Sequence, residues 1–203
     1  MTRMCCRGAR QENGFTLVEL LVTLALSGLV SAMVLQLLVG DLRQVGRLGR
    51  WLRERQAGER ALELVRGELQ RAEAVTFQSG EAPLPGGCSL AGRAFVLQLQ
   101  GRNRSGQSVA VLFSRGAAPS SIWRGDVLMR CGPAYGLDGE WSDGTAASRV
   151  LIDALPGEAG FTVTPSPSGL LSLELTRQLA DGQTTRQEQV ALAPLEPPPS
   201  EPP

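Results

Sequence analysis

The chain has 203 residues, room for one folded domain with or without an anchoring segment. It contains no His and no Lys, and twenty Arg balance twenty acids to a formal charge of zero. This excludes Ser-His-Asp and Cys-His catalysis and imidazole metal sites, and it removes any electrostatic case for nucleic acid as a partner.

The first segment, residues 1–14, is a short basic leader with Arg3, Arg7 and Arg10 against Glu12. Without it the chain keeps 20 minus 3 Arg and 20 minus 1 acids, a net charge of minus two that points to no partner. Residues 15–40 follow as 26 residues with Glu19 as their only charge. As a helix this run is about 39 Å long, enough to cross a hydrocarbon core of about 30 Å. An unpaired charge at mid-bilayer costs roughly 2.5 to 3.5 kcal/mol, so Glu19 needs a partner or an escape to the interface. A plain anchor with a snorkelling acid is one reading. A secretory signal peptide is another, because Val30-Ser31-Ala32 resembles a small-x-small cleavage site. Against the latter, the apolar run resumes at Met33 and would leave an exposed greasy helix on the cleaved product.

A third reading uses more residues. Gly14, Phe15, Thr16, Leu17, Val18 and Glu19, set between a basic leader and an apolar helix, resemble the prepilin signature of type IV pilins and type II secretion pseudopilins. The resemblance implies that a prepilin peptidase cuts between Gly14 and Phe15 and methylates the new Phe15 amino group. It also implies that Glu19 serves assembly, its carboxylate meeting the Phe15 ammonium of a neighbouring subunit. Such a pairing sets register, because a shift of one turn strands both charges. The implied partners are the peptidase, other pilins or pseudopilins, the inner membrane and the filament assembly platform.

Within the apolar run, Thr23, Ser27 and Ser31 recur every four residues beside Gly28 and Ala32, a spacing that lets helices approach closely in lipid. Arg43, Arg47, Arg50, Arg53 and Arg55 lie just beyond it. They oppose the orientation that the positive-inside rule would assign, and the cleavage motif outweighs them.

Residues 41–76 predict a continuing amphipathic helix. Leu42, Val45, Gly49 and Leu52, then Leu62, Val65, Leu69 and Ala72, fall at helical spacing, with the charged residues read as a solvated face. The period then changes to two across a β-rich domain, residues 77–193. Phe95, Leu97 and Leu99 predict one strand, and Val109, Val111 and Phe113 a second beyond a turn at Gly101 to Gly106. A third is expected between Ile122 and Met129. Phe161 and Val163, then Leu171, Leu173 and Leu175, then Val190 and Leu192, predict a meander. Residues 194–203 hold six prolines and read as a disordered tail. A long N-terminal helix packed on an antiparallel sheet makes an α+β fold, and the resemblance implies the same pilin-like design.

Cys5 and Cys6 are adjacent in the leader, whereas Cys88 and Cys131 are far apart in the domain. In an exported domain Cys88 and Cys131 suit a structural disulfide, with two buried free thiols as the alternative. Asp138, Glu140 and Asp143 form a weak calcium candidate whose spacing fails the EF-hand template, so a polar turn is the simpler reading. Trp123, Tyr135 and Trp141 are core residues or an adhesive patch, with core favoured. No nucleotide loop or activated nucleophile is present, so the expectation is a non-enzymatic chain without cofactor. A minor pilin or minor pseudopilin fits these features. The competing class is an anchored or secreted single domain without a filament role.

Overall fold

The computed structural model describes residues 16–80, 83–180 and 182–192, without the side chains of residues 42, 43 and 47. The leader with Cys5, Cys6, Gly14 and Phe15, and the proline-rich tail, lie outside the described residues. The chain divides into two compact units at the Arg50/Trp51 boundary.

One helix, α1 (Leu17–Arg71), belongs in its first part to the N-terminal unit and in its second to the C-terminal unit. In the N-terminal unit every described residue from Leu17 to Gly40 is exposed. The C-terminal unit packs the remainder of the helix on two antiparallel sheets, an α+β pilin-like layout. The first sheet has the order β1 (Ala74–Thr76), β2 (Ala94–Arg102), β3 (Ser108–Ala117), β4 (Asp126–Gly132) and β5 (Ala147–Leu155). The second is the meander β6 (Phe161–Pro165), β7 (Leu170–Gln178) and β8 (Thr184–Leu192).

The core follows the two periodicities of the sequence. Ala61, Leu62, Val65 and Leu69 form the buried face of α1, and Ala72, just past its end, is buried with them. Leu97 and Leu99 of β2, Val111 and Phe113 of β3, and Leu171, Leu173 and Leu175 of β7 meet that face at every second residue. Burying one such leucine contributes about 1.5–3 kcal/mol. The other expected helical face, containing Val45 and Leu52, stays exposed.

Four features depart from the expected pattern. Helix α1 ends at Arg71, five residues before the expected boundary at 76, because the Glu73 amide already donates to the Gln100 carbonyl at 2.7 Å and Ala74–Thr76 pair with Gln98–Gln100. Sheet pairing there satisfies backbone groups that a longer helix would have satisfied internally. The third strand begins at Asp126 rather than Ile122, since residues 118–125 form a loop. Strand β5 adds to the expected strands, and its sequence lacks their alternation because register shifts against β4 and the left-handed Ala154 (φ 62°) interrupt it. Finally, the charged residues of α1 are not all solvated, since Glu68 is 0 % exposed.

Two glycines mark close approaches. A Cβ on Gly58 would strike the Gln187 side chain, which donates to the Arg55 carbonyl at 3.1 Å. A Cβ on Gly101 would meet the ring of Trp141.

Cys88 and Cys131 are joined by a disulfide with Cα atoms 5.8 Å apart, tying the loop before β2 to the end of β4. Closing a loop over a separation of 43 residues contributes on the order of 4 kcal/mol through the unfolded chain. The expected result for Cys88→Ser with Cys131→Ser is a loss of up to about that amount. Urea denaturation of the oxidised chain beside the double variant measures it, and coincident midpoints would contradict it.

Candidate functional site

The N-terminal site is built by the start of α1. Thr16 immediately precedes the helix, and its Oγ1 accepts from the Glu19 amide at 3.3 Å while its carbonyl accepts from the Leu20 amide at 3.1 Å. Thr16-Leu17-Val18-Glu19 is thus an N-cap followed three residues later by a glutamate, the residue order of a capping box. The string T-x-x-E is the sequence signal for a helix start at this point. The Glu19 carboxylate lies in the first turn, where the helix dipole favours negative charge. Capping therefore fixes Glu19 at the third position of the helix.

Within α1 an 18-residue window is apolar enough to cross a membrane, and no part of it is buried. Leu17, Val18, Leu21, Leu24, Leu29, Leu35 and Leu37 are each more than half exposed. The hydroxyls are satisfied within the helix. Thr23 donates to the Leu20 carbonyl at 2.9 Å, Ser27 to Leu24 at 3.0 Å and Ser31 to Ser27 at 2.8 Å. A helix with its hydroxyls bonded to its own backbone presents an apolar surface suited to lipid or to another such helix.

The C-terminal unit holds a second arrangement that the sequence did not disclose. Glu68 Oε1 accepts from Arg130 Nε at 2.7 Å, from Trp141 Nε1 at 3.2 Å and from the Tyr135 hydroxyl, and Arg130 Nη2 lies in ion-pair contact with it at 2.6 Å. Glu68 comes from α1, Arg130 from β4, and Tyr135 and Trp141 from a hairpin closed by their own bridge, so one carboxylate joins three parts of the unit. Arg71 reinforces it, donating to the Gly139 carbonyl at 2.7 Å and lying 5.8 Å from the Tyr135 ring centre. Trp141 and Tyr135 are accordingly part of the packed interior and its margin, while Trp123 lies half-buried on the 118–125 loop.

A second charged junction lies at the other end of the packed part of α1. Arg177 of β7 donates to the Glu54 carbonyl at 2.7 Å, to the Asp153 carbonyl at 3.1 Å and to Asp153 Oδ1 at 3.3 Å. Burial lowers its pKa, and Asp153 and Glu54 oppose that shift.

Burial, reinforced by the neighbouring Glu68 carboxylate, raises the Tyr135 hydroxyl above the ordinary phenolic range. A pKa raised by folding contributes stability that is complete below the unfolded value of about 10 and is lost as pH rises through the folded value. The expected outcome is an alkaline decline in stability that Tyr135→Phe flattens. Tyr135 is the only tyrosine, so tyrosinate absorbance followed through the titration reads it alone. Ionisation at the ordinary phenolic pKa in the folded chain would contradict the assignment.

The acidic turn does not assemble a metal site. Asp138 Oδ1 accepts from the Glu140 amide at 3.1 Å, and Asp138 Oδ2 lies 3.3 Å from Arg104 Nη1. Asp143 Oδ2 accepts from Ser105 at 2.7 Å. Among the described residues no group of three His, Cys, Asp or Glu could hold a metal ion, so Asp138, Glu140 and Asp143 do not form the calcium set considered from the sequence. A cavity of about 540 Å³ lies between the loop Pro83–Gly86 and β2 and β3, and among the described residues its lining is apolar, amide and Ser108 groups.

Comparison with known families bears on the N-terminus. The prokaryotic N-terminal methylation motif matches residues 9–35, a span that includes Gly14, Phe15 and Glu19. That match is consistent with the type IV pilin-like and pseudopilin family, and it supports a precursor of that kind. It implies processing by prepilin peptidase and assembly with other pilins. No curated protein and no solved structure matches the chain.

Proposed function

We propose that the chain is a minor pilin or minor pseudopilin, a structural subunit rather than an enzyme. The precursor sits in the inner membrane by its apolar helix with the C-terminal unit outside the cytoplasm. Prepilin peptidase cuts between Gly14 and Phe15, methylates Phe15, and releases a subunit that enters a type IV pilus or type II secretion pseudopilus, where it takes part in the initiating tip complex.

The observation that carries this reading is the uncovered apolar surface of α1 directly behind the methylation motif. Contiguous apolar area of that extent is not left in water, and its two natural environments are lipid and a bundle of like helices. In a bundle, the Phe15 ammonium of one subunit meets Glu19 of its neighbour, so that each charge offsets the desolvation cost of the other. The Cys88–Cys131 disulfide supports an extracytoplasmic domain, since such bonds persist in oxidising compartments.

Mass spectrometry of the chain isolated from cells with a working prepilin peptidase tests the proposal. N-methyl-Phe15 as the first residue is the expected result. A chain beginning at Met33 would establish an ordinary signal peptide, and an uncut Met1 a simple anchor. Either would overturn the filament reading.

A further inference from the structure

The cavity between the loop Pro83–Gly86 and strands β2 and β3 holds a polar group that packing does not explain. Gln98 alternates with the core residues Leu97 and Leu99, so it projects from the other face of β2. It lines the cavity yet is only 1 % exposed. Its Nε2 donates to the Pro83 carbonyl at 3.1 Å, whereas among the described residues its Oε1 has no hydrogen-bond partner. A buried acceptor left in this state is costly, and Leu or Met would occupy the same position without that cost. The terminal amide torsion of glutamine is soft, so a donor entering the cavity can draw Oε1 forward while the backbone stays in place.

The walls are braced before any ligand arrives. Cys88 lies two residues after Gly86 and Cys131 two residues before Pro133, so the disulfide joins the stretches that supply two of the walls. The Cys88 amide donates to the Pro85 carbonyl at 2.9 Å, and a Cβ on Gly87 would lie 3.4 Å from the Ala146 carbonyl oxygen. A site held in this way has little ordering cost left to meet on binding. Its volume of about 540 Å³ is within the range of small-molecule sites, which combine mainly apolar walls with a few placed polar groups.

The lining selects the chemistry of the ligand. Pro83, Pro85 and Pro133 offer rigid rings of the kind that pack on aromatic faces, and Val109, Ala110 and Ala146 add small apolar surface. No charged side chain stands among the described lining residues, so an ion entering here would lose its hydration without compensation. The group left wanting is an acceptor, so the ligand must bring a donor. We propose that this cavity binds a small uncharged aromatic molecule of the phenol class, its hydroxyl donating to Gln98 Oε1 and its ring held among the prolines. The site is independent of the membrane helix and of the filament reading.

The test titrates p-cresol, toluene and 4-methylbenzoate into the full chain in detergent micelles, reading the methyl NMR signals of Val109, Ala110 and Ala146. Saturable shifts of those methyls by p-cresol are expected. Gln98→Met keeps the bulk of the side chain and removes the acceptor. It should weaken p-cresol by about fivefold, the value of one net hydrogen bond, and leave toluene unchanged or tighter. Partition into detergent is common to parent and variant, so it cancels from that comparison. Absence of saturable shifts in the parent overturns the proposal. So does a variant in which p-cresol is unaffected, or one in which p-cresol and toluene weaken equally, which would assign Gln98 only to holding the Pro83 loop. Binding of 4-methylbenzoate as tight as that of p-cresol overturns the uncharged class.

Discussion

Glu68→Gln is expected to lower the stability of the C-terminal unit by about 3–5 kcal/mol, the cost of leaving a buried guanidinium without its counter-charge. Arg130 is buried at 5 % exposure and both of its contacting nitrogens converge on Glu68 Oε1. The amide keeps the shape and an acceptor, so Tyr135 and Trp141 can still donate, and the loss isolates the charge. Urea denaturation followed by tryptophan fluorescence measures it. Glu68→Leu combined with Arg130→Met removes both charges together, and stability should return to within about 1–2 kcal/mol of the parent, because an apolar pair escapes the desolvation that the ion pair must offset. A small effect of Glu68→Gln alone would show that water reaches the pair and that the three parts of the unit are held by packing only.

Glu19→Ala should leave membrane insertion and removal of the leader intact while reducing incorporation into filaments by about a hundredfold, equivalent to the roughly 2.5–3.5 kcal/mol of an unpaired charge in an apolar bundle. The stranded group is the Phe15 ammonium of the neighbouring subunit. Glu19→Asp retains the charge on a shorter arm and should fall between the two. Quantifying the subunit in sheared filaments against the membrane fraction reads the effect. Thr16→Ala adds a useful contrast, since it removes the hydroxyl that accepts from the Glu19 amide and should cost about 1 kcal/mol of helix end without removing the carboxylate. If both variants assembled equally well, Glu19 would be only a helix-start residue.

These two carboxylates lie on the same helix and were unequally visible beforehand. Glu19 stands out because it interrupts an apolar run, and a charge among Leu and Val is legible from composition alone. Glu68 does not, because it sits in the string Glu63-Leu-Val-Arg66-Gly-Glu68-Leu, where Arg and Glu alternate with apolar residues as on any solvated face. Its position seven residues after Ala61 does place it on the buried stripe, but periodicity alone does not exempt a charge from solvent. Only the arrival of Arg130, Tyr135 and Trp141, each more than 60 residues away in sequence, makes its burial tolerable.

Local pattern thus determined the apolar helix, the motif at its start, the amphipathic stripe from Leu62 to Ala72 and the alternating strands β2, β3, β6 and β7, whereas in β8 Ala191 is buried and the expected Val190 and Leu192 face outward. Each depends on neighbours within one turn or one pleat, and such neighbours can be read along the chain. Tertiary structure alone decided where α1 stops, the existence of β5 and the partners of Glu68 and Arg177. Those outcomes turn on backbone pairing and on buried charges meeting across long separations, and the free energy of such meetings belongs to no single segment.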